Sequence, residues 1–239
     1  ARIDGIGLTG LTNERLAGIL QGRVELHGDV DNPHVRTELQ AFQVLGIAPD
    51  PIDLVVNAEL EDHRLTAHLV CDQVGTLDVE GDLDRTQHDL RLQGELDVAP
   101  WLGRSWPLSV RGRLHTDTLA VGLSTARLPF GDEPPGPVRM EVTLSAWRHL
   151  DLGFVLDGGQ VLAHARMDLA KGQLDTLTAS SRGLSLAHLS RMVTGQLHGR
   201  IAAGGMLGLG ARGEVSLRVD DLGIAGWRLG PTTLSTRFV

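Results

Sequence analysis

Carboxylates at alternate positions raise the first question of chemistry. In Gly28-Asp29-Val30-Asp31-Asn32-Pro33-His34 they stand as they would at the start of a calcium loop. Such a loop needs oxygen ligands at positions one, three and five, a glycine at six and a glutamate at twelve, so that the ligands converge around a sharp turn. Counted from Asp29, position five is Pro33 and position six is His34, and neither fits. The stretch reads instead as a strand end running into an Asn-Pro turn. A second set, Asp78, Glu80, Asp82 and Asp84, puts its carboxylates on one face of an extended segment, about 6.6 Å apart per pair. A hydrolase dyad or a cation site would use such a ladder. A solvated outer face opposed by Arg91 across a hairpin uses the same letters. Nothing in the sequence places these groups in a cleft, so the solvated face is the expectation.

The remaining reactive residue types are scattered. Ten histidines invite a zinc reading, but no H-x-x-x-H lies on a helix and no cysteine pair exists. His68 and His164 fall in the polar register of their segments, and His63, His88 and His149 in apparent turns. Cys71 is the single cysteine and continues the apolar register Leu65, Ala67, Leu69, which predicts a buried, inert thiol. There is no G-x-S-x-G and no S-x-x-K. The glycine-rich run 204–213 lacks the Lys-Ser/Thr of a phosphate loop and reads as a flexible connection. The chain is expected to be neither an enzyme nor a metal or cofactor protein.

The elements that carry these residues are strands. Period-2 alternation dominates the 239 residues. It runs through Ile52, Leu54, Val56, Ala58 and Leu60, then Leu65 to Cys71, then Leu77, Val79, Gly81 and Leu83, then Leu90 to Val98. It resumes at Leu108–Leu114 and Leu119–Leu123. After the Pro-rich break at 128–137 it returns in Val138–Leu144, Leu150–Leu156, Val161–Leu169, Leu197–Ile201 and Ala211–Val219. About fourteen strands of roughly seven to nine residues are predicted, joined by short Asp, Asn, Gly and His turns, hence antiparallel meanders. Three stretches break the alternation, near 8–20, 98–106 and 184–194. The first and third have leucine at helical spacing and are candidate short helices. Each stretch precedes a Gly-containing strand, a weak long repeat with starts near 8, 98 and 184.

Composition says what such a sheet is for. Net charge is −8, which argues against a nucleic-acid partner. There are 40 Leu and 30 Gly, but no Tyr and only four each of Phe and Trp. The apolar face is therefore smooth and aliphatic, with few polar tips. A one-sided sheet must hide that face. An outer-membrane barrel would wear aromatic girdles, which this chain lacks. A closed sandwich core and a curled trough holding alkyl chains both remain open. Glycines in the apolar register, Gly81, Gly94, Gly112, Gly199 and Gly213, leave room or permit bending, and fourteen strands at about 4.8 Å span roughly 65 Å. No signal peptide or membrane helix is visible. The chain opens mid-pattern and stops mid-strand, and is read as a piece of a longer protein.

A family resemblance rests on three blocks. "GRVELHGDVDNPHVRTELQAFQVLGI" (22–47), with its strand, Asn-Pro turn and second strand, resembles the repeats of the TamB family of AsmA-like proteins. "LDVAPWLGRSWPLSVRGRL" (96–114) and "LSLAHLSRMVTGQLHGRIAAGG" (184–205) are similar in style, although both lack the Asn-Pro turn.

The resemblance implies a β-taco: one continuous all-β segment over 1–239, an elongated, twisted antiparallel sheet curled into a U-shaped apolar groove, with one to three short helices. It implies a non-catalytic conduit passing phospholipid between the inner and outer membranes across the periplasm of a Gram-negative-type envelope. The conduit would belong to an inner-membrane-anchored protein that meets the membrane outside this segment and works with an Omp85-type outer-membrane partner. The expected lining for acyl chains is Val24, Leu26, Leu54, Val56, Leu65, Leu69, Leu77, Val79, Leu92, Leu96, Leu152 and Phe154. The rivals are an adhesin-like β-repeat module with a closed, dry core and a carbohydrate-active β-sandwich. The second is poor in the aromatics that sugar stacking needs.

Overall fold

In the computed structural model, residues 1–8, 17–29, 33–46, 48–84, 87–126, 136–156, 160–188, 192–206, 210 and 212–238 are described. The chain is all-β and divides into two compact units, residues 1–116 and 117–239. Sixteen strands are present among the described residues, against about fourteen expected; β1, β13 and β16 fall where the alternation was not read.

Unit 1 holds β1 (Arg2–Gly7), β2 (Ala17–Gly28), β3 (Pro33–Leu45), β4 (Ile52–Glu61), β5 (Arg64–Cys71), β6 (Gly75–Leu83), β7 (His88–Asp97) and β8 (Pro107–His115). Each is antiparallel to the next, so sheet order is sequence order. Unit 2 repeats this order with β9 (Thr118–Thr125), β10 (Val138–Ser145), β11 (His149–Leu156), β12 (Val161–Asp168), β13 (Gln173–Ser185), β14 (Val193–Met206), β15 (Arg212–Ile224) and β16 (Trp227–Phe238). In neither unit do the first and last strands pair, so neither sheet closes into a barrel.

Short turns force this antiparallel order. At β4–β5 the two residues between the paired Glu61 and Arg64 are Asp62 and His63, both at positive φ, 46° and 63°. Asp tolerates that region and the twist matches the flanking strands. Helix is nearly absent among the described residues. One turn, α1 (Ala99–Leu102), follows β7, with a Pro in its first turn and Gly103 at φ 65° ending it. In the stretch near 8–20, Leu8 is helical and residues 17–20 begin β2; residues 9–16 lie outside the described set. In the stretch near 184–194, Leu184 and Ser185 finish β13, a 3-10 turn covers Leu186–His188, and Val193 and Thr194 open β14. Of the run 204–213, expected as a flexible connection, Gly204–Met206 end β14 and Arg212 and Gly213 open β15; residues 207–209 and 211 lie outside the described set. Cross-strand pairing outweighs poor strand propensity there.

The cores are small and lie at strand ends. In unit 1, Ala41, Val44, Ala48, Ile52 and Val74 form a buried cluster against Leu8, Leu20, Leu54, Cys71 and Leu96. A bulge makes it possible. The register slips between Ala41 and Val44, with Gln43 at φ 51°, so Val44 returns to the apolar face opposite Ile52. The Asp53 carboxylate accepts the freed Gln43 N–H at 2.9 Å. In unit 2 the buried cluster is Val138, Leu156 and Leu184.

Candidate functional site

Register turns the alternation into surfaces. Across β2 to β8 one row runs Gly22, Leu39, Val56, Leu69, Leu77, Gly94 and Val110. The next runs Val24, Thr37, Ala58, Ala67, Val79, Leu92 and Gly112, and a third Leu26, Val35, Leu60, Leu65, Gly81, Leu90 and Leu114. Leu54 and Leu96 lie in the row through Leu20, Ala41, Cys71 and Gly75. All ten expected lining residues of unit 1 therefore share one aliphatic face. Leu152 and Phe154 occupy the corresponding face of unit 2, in rows with Val142 and Ala165, and with Met140 and Ala163.

These residues are half-buried, apart from Leu26, which is 69% exposed. Val44, Ala48 and Val74 join the apolar side without any signal in the alternation. Ala48 and Val74 lie in connections and Val44 follows a bulge, so period-2 parity gives no sign of them.

β6 and β7 crowd each other on this apolar side. Gly94 belongs to the apolar register of β7, and a Cβ there would fall inside the contact radius of the Thr76 carbonyl oxygen on β6. Gly81 sits at φ 146°, and its Cβ would strike the Asp89 carbonyl on β7. Only glycine combines that backbone conformation with so close an approach.

The opposite face of unit 1 is charged and internally matched. Glu25, Arg36 and Glu59 stand in one row and Glu80 opposes Arg91. Ion pairs join His34 to Glu59 at 3.2 Å, Arg36 to Glu38 at 3.4 Å and His68 to Asp78 at 2.6 Å. Contrary to the expectation that the carboxylate ladder lies outside any cleft, Asp78 and Glu80 line a hollow of about 850 Å³ on this face, with Arg36, Arg91 and Arg111. The physical reason is sheet twist, which makes a saddle and hollows each face along one diagonal. Asp78 meets the His68 ring at 2.6 Å, and Glu80 stands opposite Arg91 in the register. Unit 2 has a hollow of about 460 Å³ whose lining includes Phe154, Val155, Leu162, Ala163 and Ala179, with His164 and Arg200.

Two further carboxylates hold connections together. Asp97 accepts hydrogen bonds from the Ser105 hydroxyl and from the backbone N–H groups of Trp106 and Ala99, which hold its carboxyl below the ordinary range. Asp168, buried at the end of β12, receives the Arg148 guanidinium at 2.7 Å and the N–H groups of Ala170 and Lys171. The Arg148 hydrogen bonds are the main cause that brings its pKa to about 2. Cys71 stands opposite Leu54 and Gly75 in the apolar row, and burial, then the Asp72 charge, raise its pKa. A raised pKa keeps it a thiol rather than a nucleophilic thiolate at neutral pH.

Among the described residues no group of three or more His, Cys, Asp or Glu could hold a metal ion, and no helix is long and apolar enough to cross a membrane. No family model, curated protein or solved structure matches the chain.

Proposed function

We propose that the aliphatic face of each unit binds the acyl chains of phospholipid, and that the chain is a passive, non-catalytic stretch of a β-taco conduit of the TamB/AsmA-like kind. In this reading the protein is periplasmic, belongs to an inner-membrane-anchored assembly, and hands lipid toward an outer membrane, where an Omp85-type protein is the partner.

The observation that carries the reading is the exposed area. The chain presents 15237 Å² to solvent. A compact protein of its mass exposes roughly 10,400 Å², and two separate compact halves about 12,600 Å². The excess speaks against a closed, dry core within each unit. Rows of Leu, Val and Ala left half-covered are a liability in water unless something apolar occupies them. Each methylene seated there gains about 0.8 kcal/mol. The close approach of β6 and β7 on the apolar side supports a sheet bent toward that face. Binding of this kind is reversible and undirected, so net flow needs a gradient or a partner.

The test is native mass spectrometry of the purified protein with photo-crosslinking from Leu54 and Leu92. Phospholipid adducts from both positions are expected. Adducts from Thr66 and Arg91 on the charged face, with none from Leu54 or Leu92, would sink the conduit.

A further inference from the structure

The face of unit 2 that carries the polar register is not uniformly polar. One cross-strand row on it runs Arg139, Val155, Leu162, Ser180, Arg200 and Ser216 over β10 to β15. Val155 and Leu162 stand directly opposite each other, 36% and 39% exposed. Parity sets them on the face opposite Leu152 and Ala165, so they belong neither to the aliphatic rows nor to the buried cluster of unit 2. Scattered exposed apolar residues need no explanation. The setting of this pair does.

Both residues line the hollow of about 460 Å³, which falls within the range of small-molecule sites, about 300–1,000 Å³. Small residues open it. Gly153 brings no side chain beside Val155, and Ser180 stands between Leu162 and Arg200 in the row, with Thr178 beside it on β13. The charge of the lining is one-sided. In a chain of net charge −8, this hollow has no carboxylate in its lining, whereas the unit 1 hollow is lined by Glu38, Glu59, Asp78 and Glu80. The adjoining row runs Glu141, Gly153, His164, Thr178, Ala202 and Glu214, so its two carboxylates lie at its ends, outside the hollow. Other arginines on this face are held by acids: Arg166 by Asp151 at 2.8 Å and Arg218 by Asp220 at 2.7 Å. The exposed Arg200 guanidinium has no ion pair or hydrogen bond among the described residues.

We propose that this hollow binds an amphipathic carboxylate of the fatty-acid class, with its alkyl chain on Val155 and Leu162 and its carboxylate on the Arg200 guanidinium. Each end meets matching chemistry. A planar guanidinium takes a carboxylate through two parallel N–H···O bonds. The hydroxyls of Thr178 and Ser180 are further donors on the same side of the hollow. The alkyl chain covers an apolar pair that water otherwise wets. Spacing agrees as well: Leu162 and Arg200 are two strands apart, about 10 Å at about 4.8 Å per strand, which is a short alkyl chain plus its head. The inference does not rest on the conduit reading, because Val155, Leu162 and Arg200 all lie outside the aliphatic rows.

The experiment is calorimetric titration of the purified protein with decanoate and with decanol, its uncharged counterpart. Decanoate is expected to bind several-fold more tightly than decanol. Arg200→Gln should weaken decanoate about tenfold and leave decanol unchanged, since it removes a charge-assisted pair alone. Leu162→Thr should weaken both ligands several-fold. Both positions are exposed, so melting temperatures should stay at the parent value. No binding of decanoate, or equal weakening of both ligands by Arg200→Gln, or of neither, overturns the site. A second measurement needs no variant. A decanoate analogue with a diazirine at its methyl end, photolysed on the protein and mapped to single residues, is expected on Val155 and Leu162. Label confined to Leu152, Ala165 and the rest of the aliphatic rows overturns the site and leaves the conduit reading standing.

Discussion

Single residues can hold whole connections in place, and Asp168 shows how. Its side chain is buried, its carboxylate takes the Arg148 guanidinium and two turn N–H groups, and its pKa falls to about 2 from 3.8. A carboxylate with a depressed folded pKa stabilises the fold above its unfolded value and loses that contribution as pH falls through the folded value. The Asp168 contribution is thus complete above about pH 4 and gone below about pH 2. Asp168→Asn should lower the melting temperature at pH 7 by several degrees. It should also flatten the acid limb of a plot of urea midpoint against pH between pH 4 and 2. An unchanged acid limb would show that Arg148 and Asp168 do not act together. The ladder Asp78, Glu80, Asp82 and Asp84 teaches the complementary lesson. Its register against Arg91 is legible from parity, whereas the hollow that receives Asp78 and Glu80 is not, because it depends on the twist of six strands together.

Elements differ in how much substitution they tolerate, and the β6–β7 approach is the tightest place in unit 1. A Cβ at Gly94 meets backbone, which cannot swing aside as a side chain can. Gly94→Ala should cost about 1–3 kcal/mol in denaturant unfolding. Gly153→Ala, on the polar face of β11 with its nearest neighbour atom at 3.7 Å, should be neutral or slightly stabilising. Equal costs at the two positions would mean the crowding at β6–β7 is not real. The buried cluster of unit 1 makes a second prediction. Ile52 is 2% exposed in that cluster, so Ile52→Ala should cost about 2–5 kcal/mol. Leu26→Ala, at an exposed position on the same face, should cost well under about 1 kcal/mol by the same assay.

At the scale of the whole molecule, the quantity that matters is the total area the folded chain leaves in water. Denaturant sensitivity follows the area newly exposed on unfolding. A chain that already presents 15237 Å² when folded should show a urea m-value well below that of a compact protein of 239 residues. An m-value typical of compact proteins of this length would indicate that the faces are covered in solution. Phospholipid occupying the aliphatic rows should raise the melting temperature in proportion to the logarithm of free lipid, since it binds the folded state alone. Detergent-stripped and lipid-loaded samples compared by calorimetry would measure that shift.

Strand class, antiparallel order and the membership of each face follow from the amino-acid letters alone. In a strand, side-chain direction depends only on parity, and parity is written in the sequence. Short polar turns then leave no order but the sequential one. That is why alternation suffices to assign Leu54, Val56, Leu69 and Leu92 to one surface. Where that surface closes is a matter of tertiary structure. The bulge at Gln43 shifts parity for Val44, Ala48 and Val74 reach the core from connections, and Gly94 meets a carbonyl from another strand. Each of these depends on contacts between segments far apart in sequence. Local alternation cannot encode them, and they are what bury the apolar side at one end of the unit 1 strands.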